Sequence, residues 1–175
     1  MLSDKAKKTI LKLQAKYPEK RSALLPALHV AQAEIGYLPL KVQKEVADLF
    51  DINHTEVHSV VTFYDMFFEE PTGKHILHVC KNISCMLRGS DEVIEKFREK
   101  LGLLPGEKTT ADKQFTLIAS ECLAACDRAP MMLANDKVVG PIEVKDVEKI
   151  LNETKKMPGH PCPVPNIEIE KDVKH

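Results

Sequence analysis

Apolar residues recur at helical spacing through residues 1–70 and then give way to short strand-like runs. Four helices are predicted in the first stretch. Ser3 caps the first, with Asp4 in its first turn; Ile10, Leu13 and Tyr17 share a face, and Pro18 stops it. Ser22 caps the second, whose stripe is Leu25, Leu28, Ala31 and Ile35. Pro26 falls in its first turn, where a missing N–H costs least, and Gly36 follows as a C′ residue. Pro39 opens the third, lined by Val42, Val46 and Leu49. Asn53 with Glu56 three residues on has the form of a capping box for the fourth, whose stripe is Val57, Val60, Val61 and Tyr64. The run Phe63-Tyr64-Asp65-Met66-Phe67-Phe68 closes the region. It reads as core packing, with a partner-facing surface as the alternative.

Pro71-Thr72-Gly73-Lys74 is a turn and the expected domain boundary. His75–Val79 is a predicted strand that runs into Cys80. Ser90 caps a helix with Asp91 and Glu92 in its first turn and Val93, Ile94, Phe97 and Leu101 on its apolar face. Gly102 ends that helix, and Pro105-Gly106 turns the chain. Lys113–Ala119 is a second strand that runs into Cys122. Met131–Ala134 and Lys137–Gly140 make a hairpin around Asn135-Asp136, and a last helix spans about Glu143 to Leu151 with Val144, Val147 and Leu151 apolar. Strand, helix, three strands, helix is the minimal thioredoxin-like α/β order. The chain thus reads as mixed α+β and α/β. A helical N-terminal bundle (1–70) is followed by a thioredoxin-like domain (74–151) and an extended or disordered tail (152–175).

Composition narrows the class. The chain has 175 residues, 43% of them hydrophobic and 29% charged, as in ordinary globular proteins. A net charge of −1 carries no electrostatic footprint for nucleic acid. No apolar run approaches the roughly 18 residues of a membrane span, and the start lacks the apolar segment of a signal peptide. The expected compartment is therefore the cytosol, where clustered cysteines bind metal or do redox work more often than they form structural disulfides. The cysteine count of five is odd, which also argues against a pure disulfide framework.

Four cysteines form two close pairs. Cys80 and Cys85 make a C-x4-C pair; Cys122 and Cys126 make a C-x3-C pair. Each pair follows a predicted strand, and loops at the carboxyl ends of neighbouring parallel strands lie side by side. Structural zinc favours tighter C-x2-C knuckles but tolerates this spacing. A thioredoxin-type disulfide needs C-x-x-C, which is absent. A 2Fe–2S cluster needs four thiolates, and C-x4-C occurs in plant-type ferredoxins, although those spread their other ligands differently. Spacing makes iron–sulfur the favourite. The bland alternative is four inert core thiols. Gly89 and the backbone N–H groups around Ser90 are candidate donors to cluster sulfurs.

Other candidates are weaker. Cys162, between Pro161 and Pro163, reads as a free thiol on the tail. His54 and His58 stand i, i+4 without an evident third ligand and read as a solvated face. His75 and His78 point to opposite faces of a strand. No Gly-rich phosphate loop or G-x-S-x-G motif is present, so no catalytic residue is expected on this chain.

The residues carry a resemblance over about residues 8–152. Leu24-Leu25-Pro26-Ala27-Leu28-His29-Val30-Ala31-Gln32 precedes Gly36-Tyr37-Leu38, and Val60-Val61-Thr62-Phe63-Tyr64-Asp65-Met66-Phe67 follows. Then come Val79-Cys80, Cys85, Leu87-Arg88-Gly89, Cys122-Leu123-Ala124-Ala125-Cys126, Ala129-Pro130 and the Asn135 hairpin. With these the chain resembles the NuoE family of NADH:quinone oxidoreductase, respiratory complex I. Ala124 stands where the family has glycine, a change expected to crowd one backbone approach while keeping all four cysteines.

The resemblance implies a thioredoxin-like 2Fe–2S ferredoxin domain with Cys80, Cys85, Cys122 and Cys126 as cluster ligands, and a cis bond before Pro130. It implies an electron-transfer subunit of NADH dehydrogenase with no independent catalysis. The partner would be an FMN- and NADH-binding flavoprotein subunit (NuoF-type), which also carries a 4Fe–4S cluster. The assembly would be cytoplasmic, on the inner face of the cell membrane. Arg88 and Arg128 flank the pairs and are expected to raise the cluster potential, to meet the partner, or simply to be solvated. Two alternatives stand beside this reading. One is the equivalent subunit of a soluble NAD-linked hydrogenase or formate dehydrogenase; the other is a zinc-stabilised interaction module.

Overall fold

The structure is a computed structural model that describes residues 1–159, so Cys162 and the tail from residue 160 lie outside the described residues. The chain divides into two compact units, Met1–Pro71 and a second from Thr72 on.

The first unit contains four helices: α1 (Asp4–Gln14), α2 (Leu24–Ile35), α3 (Leu40–Phe50) and α4 (His54–Phe63). Ser3 Oγ accepts the Ala6 N–H at 3.2 Å and caps α1. Tyr17 lies beyond the end of that helix and is exposed. Ser22 does not cap α2, because Lys20–Ala23 forms a 3-10 turn that carries the chain straight into it. α2 is buried on more than one stripe, with Ala27, Leu28, His29, Val30, Ala31 and Gln32 all inside, as a central helix requires. Asn53 Oδ1 caps α4 by accepting the Thr55 N–H at 3.0 Å. The capping box is not closed, since the Glu56 carboxylate pairs with Arg21 instead.

The aromatic run divides between the two readings. Phe67 is buried, its ring centroid 4.9 Å from that of His29, whereas Phe63 is 77% exposed. Gln32 holds the segment from inside: its Nε2 donates to Met66 O at 2.9 Å, and its Oε1 accepts the Phe68 N–H at 2.8 Å. A buried amide satisfied on both sides fixes the chain path as well as a backbone ladder would.

The second unit is a four-stranded sheet ordered β2-β1-β3-β4, with β1 His75–Cys80, β2 Phe115–Ser120, β3 Met132–Ala134 and β4 Lys137–Val139. β1 and β2 are parallel, in register from His75↔Phe115 to Cys80↔Ser120; the other two pairings are antiparallel. Short helix α5 (Ile83–Met86) and α6 (Ser90–Leu101) make the crossover that a parallel pair needs. α7 (Val147–Lys155) follows a 3-10 turn at Val144–Asp146. Val93, Ile94 and Phe97 of α6 and Ile150 and Leu151 of α7 pack on Leu77, Val79, Leu117 and Met132 of the sheet. The alternate residue Cys80 instead joins Cys85, Ala129 and Met131. Residues 108–110 fold back along the outer side of β2. Leu117 N–H donates to Lys108 O at 2.7 Å, and Thr110 N–H to Phe115 O at 2.9 Å.

Several expectations are corrected. Gly89, at φ +87°, occupies the cap position of α6, and Ser90 is buried inside the helix with its hydroxyl unpartnered among the described residues. α5 is a single turn, too short to show a helical period in the sequence. α7 runs to Lys155 rather than Leu151, because Thr154 is buried on the same face and its hydroxyl donates to Ile150 O. Residues 152–155 are therefore helix, not tail. The Ala129–Pro130 bond is cis, as expected, and Gly140–Pro141 is cis as well.

His75 is fully buried, with its ring against Phe115 and its Nδ1 3.4 Å from Asn135 Nδ2. Burial, and then the charge of Lys74, lowers its pKa from the ordinary value. The unfolded chain therefore binds a proton that the folded chain refuses. Stability from this group is full above about pH 6.5 and falls as pH drops toward the depressed folded value. Urea denaturation between pH 7.5 and pH 5 is expected to show an acid-side loss of stability that is smaller in His75→Gln. An identical slope in the two proteins would count against this.

Candidate metal centre

Cys80 is the last residue of β1, and Cys85 lies in α5. Both are buried, at 3% and 1% exposure, among Ala129 and Met131. Asn82 Oδ1 accepts the Ile83 N–H at 2.8 Å and starts α5. Cys122 and Cys126 lie on the loop after β2 and are both exposed; Cys126 opens a 3-10 turn at Cys126–Arg128. All four are free thiols. The parallel register makes the two cysteine loops leave the same end of the sheet, and Lys81 N–H donates to Ser120 O at 2.9 Å as a last rung.

Side chains tie the loops together beyond that rung. Lys81 Nζ lies 3.0 Å from Glu121 Oε1, and Asn82 Nδ2 donates to Glu121 Oε2 at 3.3 Å. The hydrogen bond and charge of Lys81, with Asn82 adding, hold the Glu121 carboxyl below its usual range. Arg88 Nη1 reaches Ala129 O at 3.4 Å, while Arg128 is exposed, 3.7 Å from Asp127. Gly140 braces the second loop from behind: a Cβ there would stand 2.4 Å from Arg128 O and 2.9 Å from Met131 Cβ.

Burial pushes the Cys85 thiol pKa up. A hydrogen bond to Cys80 and the charges of Cys80 and Cys126 push the same way, against a backbone hydrogen bond at Met131. Cys85 thus senses a sulfur from its own pair and one from the other pair. A metal ion beside Cys85 would reverse that preference, because a coordinating thiol is deprotonated outright. Among the described residues no group of three or more His, Cys, Asp or Glu side chains stands as a ready-made site for a metal ion. The donor set itself, two thiol pairs at one sheet end, suits a thiolate-bound iron group.

Other expected residues fall elsewhere. The Gly89 N–H donates to Met86 O at 3.0 Å, so it is not free for a sulfur. His54 is exposed, and His58 Nδ1 lies 3.1 Å from Gln43 Oε1 and 3.2 Å from Glu69 Oε1, away from His54. His78 Nδ1 lies 2.8 Å from Ser120 Oγ, on the β1–β2 pair rather than with His75. Sequence reasoning missed Asn82, Glu121 and Gly140. The available signal was opposite charge at the two positions that flank the strand ends, Lys81 after Cys80 and Glu121 before Cys122.

A thioredoxin-like sheet with two cysteine pairs at one end defines a class of small α/β proteins built to hold a thiolate-bound metal group. The chain belongs to the thioredoxin-like [2Fe-2S] ferredoxin family, whose model matches residues 10–155. A 2Fe–2S cluster is the cofactor this membership implies. An E-type subunit of NADH-quinone oxidoreductase from Rhizobium meliloti (strain 1021) is 42% identical over 137 residues, covering 78% of this chain and 81% of that protein. NADP-reducing hydrogenase subunit HndA of Solidesulfovibrio fructosivorans is 37% identical over 136 residues, covering 78% of this chain and 79% of that one. Among solved structures, an air-oxidized NAD+-reducing [NiFe]-hydrogenase shares the fold with a TM-score of 0.62 at 20% identity. That match covers 75% of this chain and 22% of that one.

Ala124 adopts φ +60°, between the two cysteines of the exposed pair. What separates alanine from glycine here is backbone conformation rather than crowding, since the residue is exposed. An L-residue in the left-handed region costs on the order of 1–2 kcal/mol. Ala124→Gly is expected to stabilise the chain by about 1 kcal/mol, less the entropy glycine adds to the unfolded state. A chemical denaturation midpoint that does not rise would contradict this.

Proposed function

We propose that this chain is the iron–sulfur electron-transfer subunit of an NADH:quinone oxidoreductase, with Cys80, Cys85, Cys122 and Cys126 as the four cluster ligands. The observation that carries the reading is the placement of two thiol pairs at the same end of adjacent parallel strands. When bound, a 2Fe–2S group supplies a site that accepts and returns one electron at a time. The chain supplies the rest. Burial of Cys80 and Cys85 lowers the local dielectric, and Arg88 reaches the Ala129 carbonyl in the small cluster that holds them. Exposure of Cys122 and Cys126 leaves one side open to a redox partner.

That partner is proposed to be an FMN- and NADH-binding flavoprotein subunit. The helix that carries Cys85 also exposes Ile83, Met86 and neighbouring Leu87, the last at 76%. Adjacent exposed apolar side chains of this kind mark docking faces. No helix among the described residues is long and apolar enough to cross a membrane. The proposed place, supported by the likeness to a subunit of NADH-quinone oxidoreductase, is the cytoplasmic side, held to the membrane through the complex. The similarity to a hydrogenase subunit supports a second reading, the same electron-transfer role in an NAD(P)-linked hydrogenase. Family membership argues against a zinc module.

Anaerobically purified full chain is expected to be reddish and to contain two irons and two sulfides, as the proposed cluster requires. An EPR signal should appear only on dithionite reduction. A colourless chain with one zinc overturns the reading. A second test addresses the partner. Leu87→Asp is expected to keep the cluster spectrum and lose most co-purification with the flavoprotein; full retention would move the docking face elsewhere.

A further inference from the structure

The two cysteine pairs are held in unequal ways. Cys80 and Cys85 are fixed by burial, whereas Cys122 and Cys126 are exposed on a loop that the sheet releases after Ser120. Burial cannot hold the second pair in place. We infer that Lys81, Asn82 and Glu121 form a clasp that positions the Cys122–Cys126 loop against the Cys80–Cys85 loop, so that four thiolates can meet one cluster. The inference rests on the cluster reading above and adds three positioning residues to it.

The clasp uses every polar atom available to it. Glu121 spends one carboxylate oxygen on Lys81 Nζ, at 3.0 Å, and the other on Asn82 Nδ2, at 3.3 Å. Asn82 is satisfied at both ends of its amide. Its Oδ1 accepts the Ile83 N–H at 2.8 Å, and its Nδ2 donates to Glu121. Only this orientation serves both contacts, because the oxygen cannot donate and the NH₂ cannot accept. One side chain therefore starts the helix that carries Cys85 and also holds the residue before Cys122. Glu121 and Cys122 are adjacent, as are Cys80 and Lys81, so the tie acts at the root of both loops.

The charges matter as well as the geometry. A lone carboxylate beside four thiolates adds repulsion among anions; Lys81 cancels it. The loops are thus joined with no net charge added at the site. An exposed ion pair is individually weak and screened by salt, so the effect of the clasp is modest and salt-dependent.

The test follows iron release from the full-length holoprotein to a chelator, by loss of visible absorbance, in wild type, Lys81→Gln, Glu121→Gln and the double variant. Each single variant is expected to release iron about two- to fivefold faster than wild type, the range that weak ion pairs allow. The double variant should release it no faster than the faster single. Added salt should speed wild type and leave the double variant unchanged. Redox titration should move Glu121→Gln to higher potential and Lys81→Gln to lower, with the double variant near wild type. Single-variant rates that multiply in the double, or rates equal to wild type throughout, overturn the clasp while leaving the cluster reading intact. A wild-type chain without iron and sulfide overturns the cluster reading itself, a result visible before any variant is made.

Discussion

The parallel pairing of β1 with β2 is the constraint on which the site depends. Its register ends at Cys80↔Ser120, and that one alignment decides where both cysteine loops begin. A parallel pair cannot be closed by a short turn, so the chain must cross over through α5 and α6. The crossover is also where Cys85 resides. The helix face that buries Val93, Ile94 and Phe97 against the sheet thereby fixes the approach of the first pair. A shift of one residue in the ladder would turn Cys80 to the helix-covered face and separate the pairs.

The site combines a rigid half and an accessible half. Cys80 and Cys85 lie in a small apolar cluster with Ala129 and Met131. The opposite pair lies at the surface, braced by Gly140 behind Arg128 and by polar contacts in front. Burial alone would hold the thiols but shield them from a partner. Exposure alone would let water and oxidants reach them. The division places the first pair where the dielectric is low and the second where another protein can approach.

Much of this was legible in the chain. The cysteine spacing, the strand before each pair and the helical stripes of the first unit carry signals that survive without neighbours, because they follow from period and capping chemistry. What was not legible depends on contacts distant in sequence. Ser90 looks like a cap, yet Gly89 supplies the left-handed turn and Ser90 is drawn into the interior. Glu56 looks like half of a capping box, yet Arg21 of a neighbouring element takes its carboxylate. Glu121 in sequence is only a charged residue before a cysteine; its meaning appears when the ladder brings Lys81 and Asn82 beside it. The departure at Ala124 is visible as a change of residue, but its cost lies in a backbone angle that no side-chain pattern reports.

The segment at 108–110 that folds back on β2 has a consequence for how the protein behaves in a crowd. A sheet with a bare outer strand is a template on which other chains can add strands and begin to aggregate. Here the hydrogen bonds from Leu117 to Lys108 and from Thr110 to Phe115 already occupy part of that edge, and the opposite edge, β4, is only three residues long. The sheet therefore offers its own copies little length on which to stack. Edge cover of this kind disfavours strand-to-strand self-association through the sheet.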